Sequence, residues 1–272
     1  MYKEFFGMEH TPFVRNVPVD KLYESVAMHE TLARLSHAAE NQLFAVVTAD
    51  SGCGKSTLIR RFCEELPKNE YIVLYLSDSK LTPRWLYKGL LDQLGLEASI
   101  NRGESKTKLQ QQIAYIRGVQ HKNVVCILDE AHLIEKETLE EFRFLLNYNY
   151  DSMSPMAIVL VGQTELWENK LKYQRYEAIR QRIEIYCSLP HLDRAETERY
   201  IQSHLDYSGC GQEIFTTKAL DEIYQTSTGI PRMINRVCEK SLLYAYQQRK
   251  RLIDDHMVKY VTEHEMIRGN QF

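Results

Sequence analysis

Two short stretches combine residue types and spacing suited to chemistry on a polyphosphate. The first is Ala49-Asp50-Ser51-Gly52-Cys53-Gly54-Lys55-Ser56-Thr57, set between the apolar run 43–47 and the helix-forming Leu58-Ile59-Arg60-Arg61-Phe62. A strand that feeds a glycine-containing turn and then a helix presents backbone N–H groups to phosphate oxygens where the peptide dipoles favour negative charge. Gly52 and Gly54 permit that close approach, and Ser51, Cys53 and Thr57 complete the wrap. Lys55 can reach the β- and γ-phosphates, and the Ser56 hydroxyl is placed to ligate Mg²⁺. The pattern GxxxxGK[ST] has glycine where this chain has Ala49. Alanine disfavours positive φ, so phosphate affinity and hydrolysis rate turn on whether the loop needs such a conformation there.

The second stretch is Asp129-Glu130, which ends the apolar run 123–128. A buried strand ending in two carboxylates puts Asp129 where it can hold Mg²⁺ through water, and Glu130 where it can orient and polarise an attacking water. Both motifs in this order are far more specific than either alone. His132 completes Asp-Glu-Ala-His, yet no glycine- and arginine-rich helicase motif follows, so it reads as a loop or satisfied core histidine.

Further candidates lie around these two. Gln163 follows the apolar run 157–161, and it would sit beside a γ-phosphate if that strand neighbours the phosphate-loop strand. The basic stretch 170–182 is either a solvated face or the source of an arginine that reaches a neighbouring subunit's γ-phosphate, with Arg182 ahead of Arg180. Arg232 opens a helix in Gly229-Ile230-Pro231-Arg232, where it either leans toward the nucleotide or stays on the surface. Near the N-terminus, Phe13, Val17, Pro18 and Tyr23 serve equally as an adenine cover or as plain core packing.

The elements that must position these residues follow from periodicity. Residues 1–29 mix aromatics with Pro12 and Pro18 and read as an extended segment packed on the body. Helical spacing over 29–39 leads into the first strand, and the helix after the phosphate loop ends near Pro67. Strands at 71–76, 123–128, 157–161 and 183–189 alternate with helices ending near Gly95 and covering 106–119 and 138–146. After Pro190 only helical patterns remain: 193–207, opened by an Asp193/Glu196 capping box, then 217–226, 231–248 and 254–263. The expected fold is a three-layer αβα domain over 1–190 with a parallel five-stranded sheet, a small all-α lid over 191–266, and a tail, 267–272.

The 272 residues are 44% hydrophobic, enough for a real core, with a formal net charge of −3. Any nucleic-acid contact must therefore come from local basic patches. Six cysteines without CxxC spacing argue against a zinc site or a disulfide framework. No run of about 18 apolar residues and no secretory leader is present, which sets the expectation of a cytoplasmic protein without a membrane partner.

Taken together, the stretch 49–56, Asp129-Glu130, Gln163, the arginines before the fifth strand and Gly229-Ile230-Pro231-Arg232 resemble an AAA+ ATPase over nearly the whole chain. Phe5-Phe6-Gly7 with Pro12-Phe13, Val161-Gly162-Gln163 and the run 229–235 resemble the ExeA branch, which includes secretion ATPases and is similar to transposition regulators of the TnsC, MuB and IstB type. The resemblance implies ATP and Mg²⁺ as cofactors, Asp129 and Glu130 as Walker B, Gln163 as sensor 1, Arg182 as the arginine finger and Arg232 as sensor 2. The secretion members carry a membrane span and a peptidoglycan-binding region after the ATPase, and this sequence reaches Phe272 with neither. The favoured expectation is accordingly a regulator that oligomerises with ATP on double-stranded DNA, as ring or filament, and recruits a transposase. The alternatives are a secretion-associated ATPase and a scaffold that hardly hydrolyses. DNA phosphates would be met by Lys80, Arg84, Lys106 and Lys108, after the second strand, and partners by Arg249-Lys250-Arg251 or the tail.

Overall fold

The computed structural model describes residues 2–78, 81–145 and 154–266, and these divide into two compact units. One comprises Ala27–Ser51 and Lys55–Leu189; the other comprises the described residues of Met1–Val26, Gly52–Gly54 and Pro190–Phe272.

In the first unit, strands β1 (Phe44–Ala49), β2 (Tyr71–Leu76), β3 (Asn123–Leu128), β4 (Ala157–Gly162) and β5 (Ile185–Leu189) form one sheet in the order β2-β3-β4-β1-β5. Every pairing is parallel. Parallel strands need crossovers, and the intervening segments supply helices that cover both faces. That is why β1, Thr48 apart, and β4 lack polar side chains, with all six residues of each strand buried rather than alternating. Side chains of Phe44, Val46, Val124, Cys126, Leu128, Ile158 and Leu160 share one core with Leu86, Leu90, Leu109, Ile113 and Phe142. Those last five belong to the helices at Pro83–Gln93, Arg102–Gly118 and Lys136–Leu145. Within that core the Glu141 carboxylate accepts a 2.5 Å bond from the Tyr87 hydroxyl and lies 3.5 Å from Arg102 Nη1, so a nearly buried charge is partnered.

The observed boundaries depart from the expected ones where capping overrides periodicity. The helix expected to begin at residue 106 starts at Arg102, because the Asn101 side chain caps it by accepting from Gly103 N–H at 2.8 Å. The fifth strand starts at Ile185 rather than 183, and the helix before β1 spans Val26–Asn41. The basic stretch is not one helix: a π-helix, Leu166–Leu171, is followed by two short turns ending at Arg180. The break expected after residue 146 lies outside the described residues.

The second unit is helical, with helices at Arg194–Tyr207, Thr217–Ser227, Pro231–Gln247 and Asp255–His264. The Asp193/Glu196 capping box forms in both directions. Residues 2–6 are a short helix, where an extended segment was expected, and residues 19–21 a single 3₁₀ turn. Phe6, Met8 and Phe13 join Ile201, Leu205, Ile223, Val237 and Leu242 in this unit's core. Phe13 stacks on His204 at 5.2 Å and donates its N–H to His204 Nδ1 at 3.2 Å. The Phe13 ring is thus part of this unit's core. Among the described residues, no helix is long and apolar enough to cross a membrane.

Candidate functional site

The phosphate loop is built by the end of β1. Ala49 is still a strand residue, paired with Leu189, buried and absent from the positive-φ positions. The glycine of the pattern is therefore not required at this position, and the departure at Ala49 does not strain the turn. The positive φ falls on Gly52 and Gly54, both at +92°. Lys55, 8% exposed on the first turn of the helix Lys55–Glu65, donates its ammonium to the Ala49 carbonyl at 2.7 Å and the Asp50 carbonyl at 3.1 Å. Its charge is thus spanned across the mouth of the loop by bonds a phosphate oxygen can replace. Ser56 is exposed, Thr57 half-buried and Cys53 buried.

Beside it, β4 lies between β1 and β3, with Gly162 paired to Thr48 and Leu160 to Leu128. The strand tips are therefore level. Asp129 is buried and takes two hydrogen bonds, from the Tyr75 hydroxyl at 2.8 Å on Oδ2 and from Glu130 N–H at 2.8 Å on Oδ1. Burial and the Asp129 carboxylate together push the Tyr75 hydroxyl pKa up. Glu130 is left-handed at φ 54°, and this turns its carboxylate off the strand line to 46% exposure. Gln163 is half-buried at the β4 tip, its N–H directed at His132 Nδ1 3.4 Å away. Thr164 donates its hydroxyl to Asp50 Oδ1 at 2.6 Å, which ties the β4 tip to the phosphate loop.

The two finger candidates lie elsewhere. Arg182 lines a cleft with Phe44, Arg143, Ser154 and Glu184, at the amino ends of β1 and β5. The five residue steps of β1 separate it from the loop by about 17 Å at about 3.3 Å per step. Arg180 donates to the carbonyls of Lys172 at 2.6 Å and Leu171 at 3.4 Å, which commits it to holding the preceding turn.

Within the second unit, Arg232 N–H donates to the Gly52 carbonyl at 3.2 Å, and a Cβ on Gly52 would stand 2.8 Å from Arg232 Cβ. Val17 is buried, and Tyr23 packs edge-on against Tyr200 at 5.9 Å while its hydroxyl accepts from Arg199.

Of the basic residues expected to meet DNA, Arg84 is exposed next to Trp85, itself 53% exposed. Lys106 lines a cleft with Arg102 and Glu141, and Lys108 donates to the Glu97 carbonyl at 2.7 Å. Lys80 lies outside the described residues.

Sequence reasoning missed Tyr75 and Thr164. Thr164 adjoins Gln163 at a strand tip and was within reach of the same argument. No spacing signals Tyr75, whose contact with Asp129 spans 54 residues.

This arrangement, a phosphate loop with paired carboxylates two strands away and a polar strand tip between them, is that of P-loop nucleoside triphosphatases, and the chain has the AAA+ fold. Residues 37–169 match the family model of an AAA domain. The chain is similar to the general secretion pathway protein A of Aeromonas hydrophila, with 31% identity over 248 residues that cover 90% of this chain. It spans 45% of that protein's length. Among solved structures it resembles the Aeropyrum pernix ORC2 protein in its ADPNP-ADP complexes, with a TM-score of 0.69 and 13% identity over 95% of this chain and 72% of that one. It also resembles Drosophila ORC bound to DNA, with a TM-score of 0.64 and 16% identity over 98% of this chain and 65% of that one. At these identities the structural matches establish the fold.

Proposed function

We propose that this chain binds and hydrolyses ATP at the carboxyl ends of β1, β4 and β3, and that full turnover needs a second copy. The observation that carries this reading is the linked set at those three strand ends: Lys55 across the loop, Thr164 on Asp50, and Glu130 turned out beside a buried Asp129. The Ser56 hydroxyl and the Asp129 carboxylate are hard oxygen donors suited to Mg²⁺, which, when bound, neutralises phosphate charge. Glu130 polarises the attacking water, Gln163 reads the γ-phosphate, and Arg232 reads the nucleotide from the start of its helix. Val17 and Tyr23 flank the base. Because Arg182 stands about the length of β1 from its own loop, it acts on a neighbouring copy's γ-phosphate.

The assembly is proposed to form on duplex DNA in the cytoplasm and to regulate transposition by recruiting a transposase, with Arg84, Lys106 and Lys108 as phosphate contacts. A fold neighbour bound to DNA supports the DNA step. A second reading, a secretion-associated ATPase, draws support from the 31% identity to the Aeromonas protein. Light scattering and electron microscopy with duplex DNA, with and without ATP, separate the two. ATP-dependent, salt-sensitive particles on DNA are expected, and their absence sinks the DNA reading. Phosphate release measured beside Glu130→Gln tests the enzyme itself: a loss on the order of 10²-fold is expected, and equal rates leave Glu130 without a catalytic part.

A further inference from the structure

We propose that His132 is a positioning residue that couples the β4 tip to Glu130 by serving one of them at a time. The proposal rests on the hydrolytic reading above. The imidazole sits on the 3₁₀ turn Ala131–Leu133, between the ends of β3 and β4, with its side chain 12% exposed. Its Nδ1 is 3.4 Å from Gln163 N and 3.5 Å from Glu130 Oε2. One ring nitrogen has one in-plane site. Carrying a lone pair, Nδ1 accepts the Gln163 N–H and repels the carboxylate; carrying a proton, it donates to the carboxylate and loses the N–H. Both separations lie beyond the roughly 3.2 Å limit of a fully formed hydrogen bond, which fits an atom placed between two claimants.

The neighbouring packing makes the contest sensitive to the β4 tip. A Cβ on Gly162 would stand 3.1 Å from the His132 main-chain nitrogen and 3.0 Å from Leu166 Cδ2, so strand tip and turn are already in contact. The same tip is tied to the phosphate loop through Thr164 and Asp50. A contiguous path therefore runs from Asp50 through Thr164 and Gln163 to His132 and Glu130, within one unit. With Nδ1 on the Gln163 N–H, the Glu130 carboxylate is released to its water. With Nδ1 protonated toward Glu130, the carboxylate is parked and hydrolysis waits.

The test compares wild type, His132→Ala, His132→Asn, Glu130→Gln and the Ala/Gln double variant for kcat, KM, ATP affinity and melting temperature. His132→Ala is expected to raise kcat several-fold, because no group then parks the Glu130 carboxylate, with ATP affinity and melting unchanged. His132→Asn, which offers one polar atom near the Nδ1 position, should return kcat toward the wild-type value. In the Glu130→Gln background, His132→Ala should have no further effect, a non-additivity that a merely structural role does not produce. If wild type shows no Glu130-dependent hydrolysis, the hydrolytic reading falls and takes this one with it. If hydrolysis depends on Glu130 while His132→Ala keeps the wild-type kcat, only the His132 proposal falls. ¹⁵N NMR of labelled wild type supplies a readout independent of any variant's folding. The His132 Nδ1 resonance should move between ADP and a non-hydrolysable ATP analogue, and an unmoved resonance overturns the switch.

Discussion

Both units hold the same kind of contact: a histidine Nδ1 facing a main-chain N–H from a distant part of the chain. Phe13 N–H meets His204 across 191 residues, and Gln163 N–H meets His132 across 31. What surrounds each ring differs. His204 is 6% exposed, stacked on Phe13 at 5.2 Å and tilted against Tyr200 at 4.6 Å. Burial lowers its pKa to about 4, so its neutral ring is a fixed acceptor that pins the N-terminal segment to the helix Arg194–Tyr207. At His132 a carboxylate stands 3.5 Å from the same nitrogen. Aromatic walls remove the alternatives and leave structure; a competing charge supplies an alternative and with it the means of control.

That contrast predicts loss of function without loss of stability for residues at the strand ends, and the reverse for His204. The largest effect belongs to Lys55→Ala, which should abolish ATP binding in calorimetry while the protein melts near its normal temperature. Unchanged affinity would remove the phosphate loop from the site. Next, Arg182→Ala should leave the affinity of an isolated copy intact yet cut assembly-dependent turnover by about 10³-fold. Mixing it with Glu130→Gln should restore part of the rate, since one copy contributes the arginine and the other the carboxylate.

The smallest of the three effects, and the only one read in stability, is at His204. The unfolded chain takes up a proton near pH 6.5 that the folded chain refuses until about pH 4. The contribution is therefore complete above about 6.5 and is lost as the pH falls toward 4, at most about 3 kcal/mol. Denaturant titrations should show the protein less stable at pH 5 than at pH 7 by about 2 kcal/mol from this group. His204→Gln should flatten that difference without altering nucleotide affinity at pH 7. A slope identical to wild type would mean the ring is not held neutral.

Much of this protein is local and was legible from its residues. The apolar runs marked the five strands, Gly52 and Gly54 marked the turn, and Asp193 with Glu196 announced a capping box that forms as expected. Each depends on neighbours within a few positions, where periodicity, φ preference and capping act directly on the chain. The consequence of Ala49 was not legible, because it rests on strand pairing with Leu189, 140 positions away. Nor were the bonds from Thr164 to Asp50 and from Tyr75 to Asp129, the second core that claims Phe13, or the remoteness of Arg182 from its own loop. Sequence alone determined which chemical groups the chain carries and where its strands and helices run; tertiary structure decided which of those groups meet, because parallel pairing and burial bring together residues that no local rule relates.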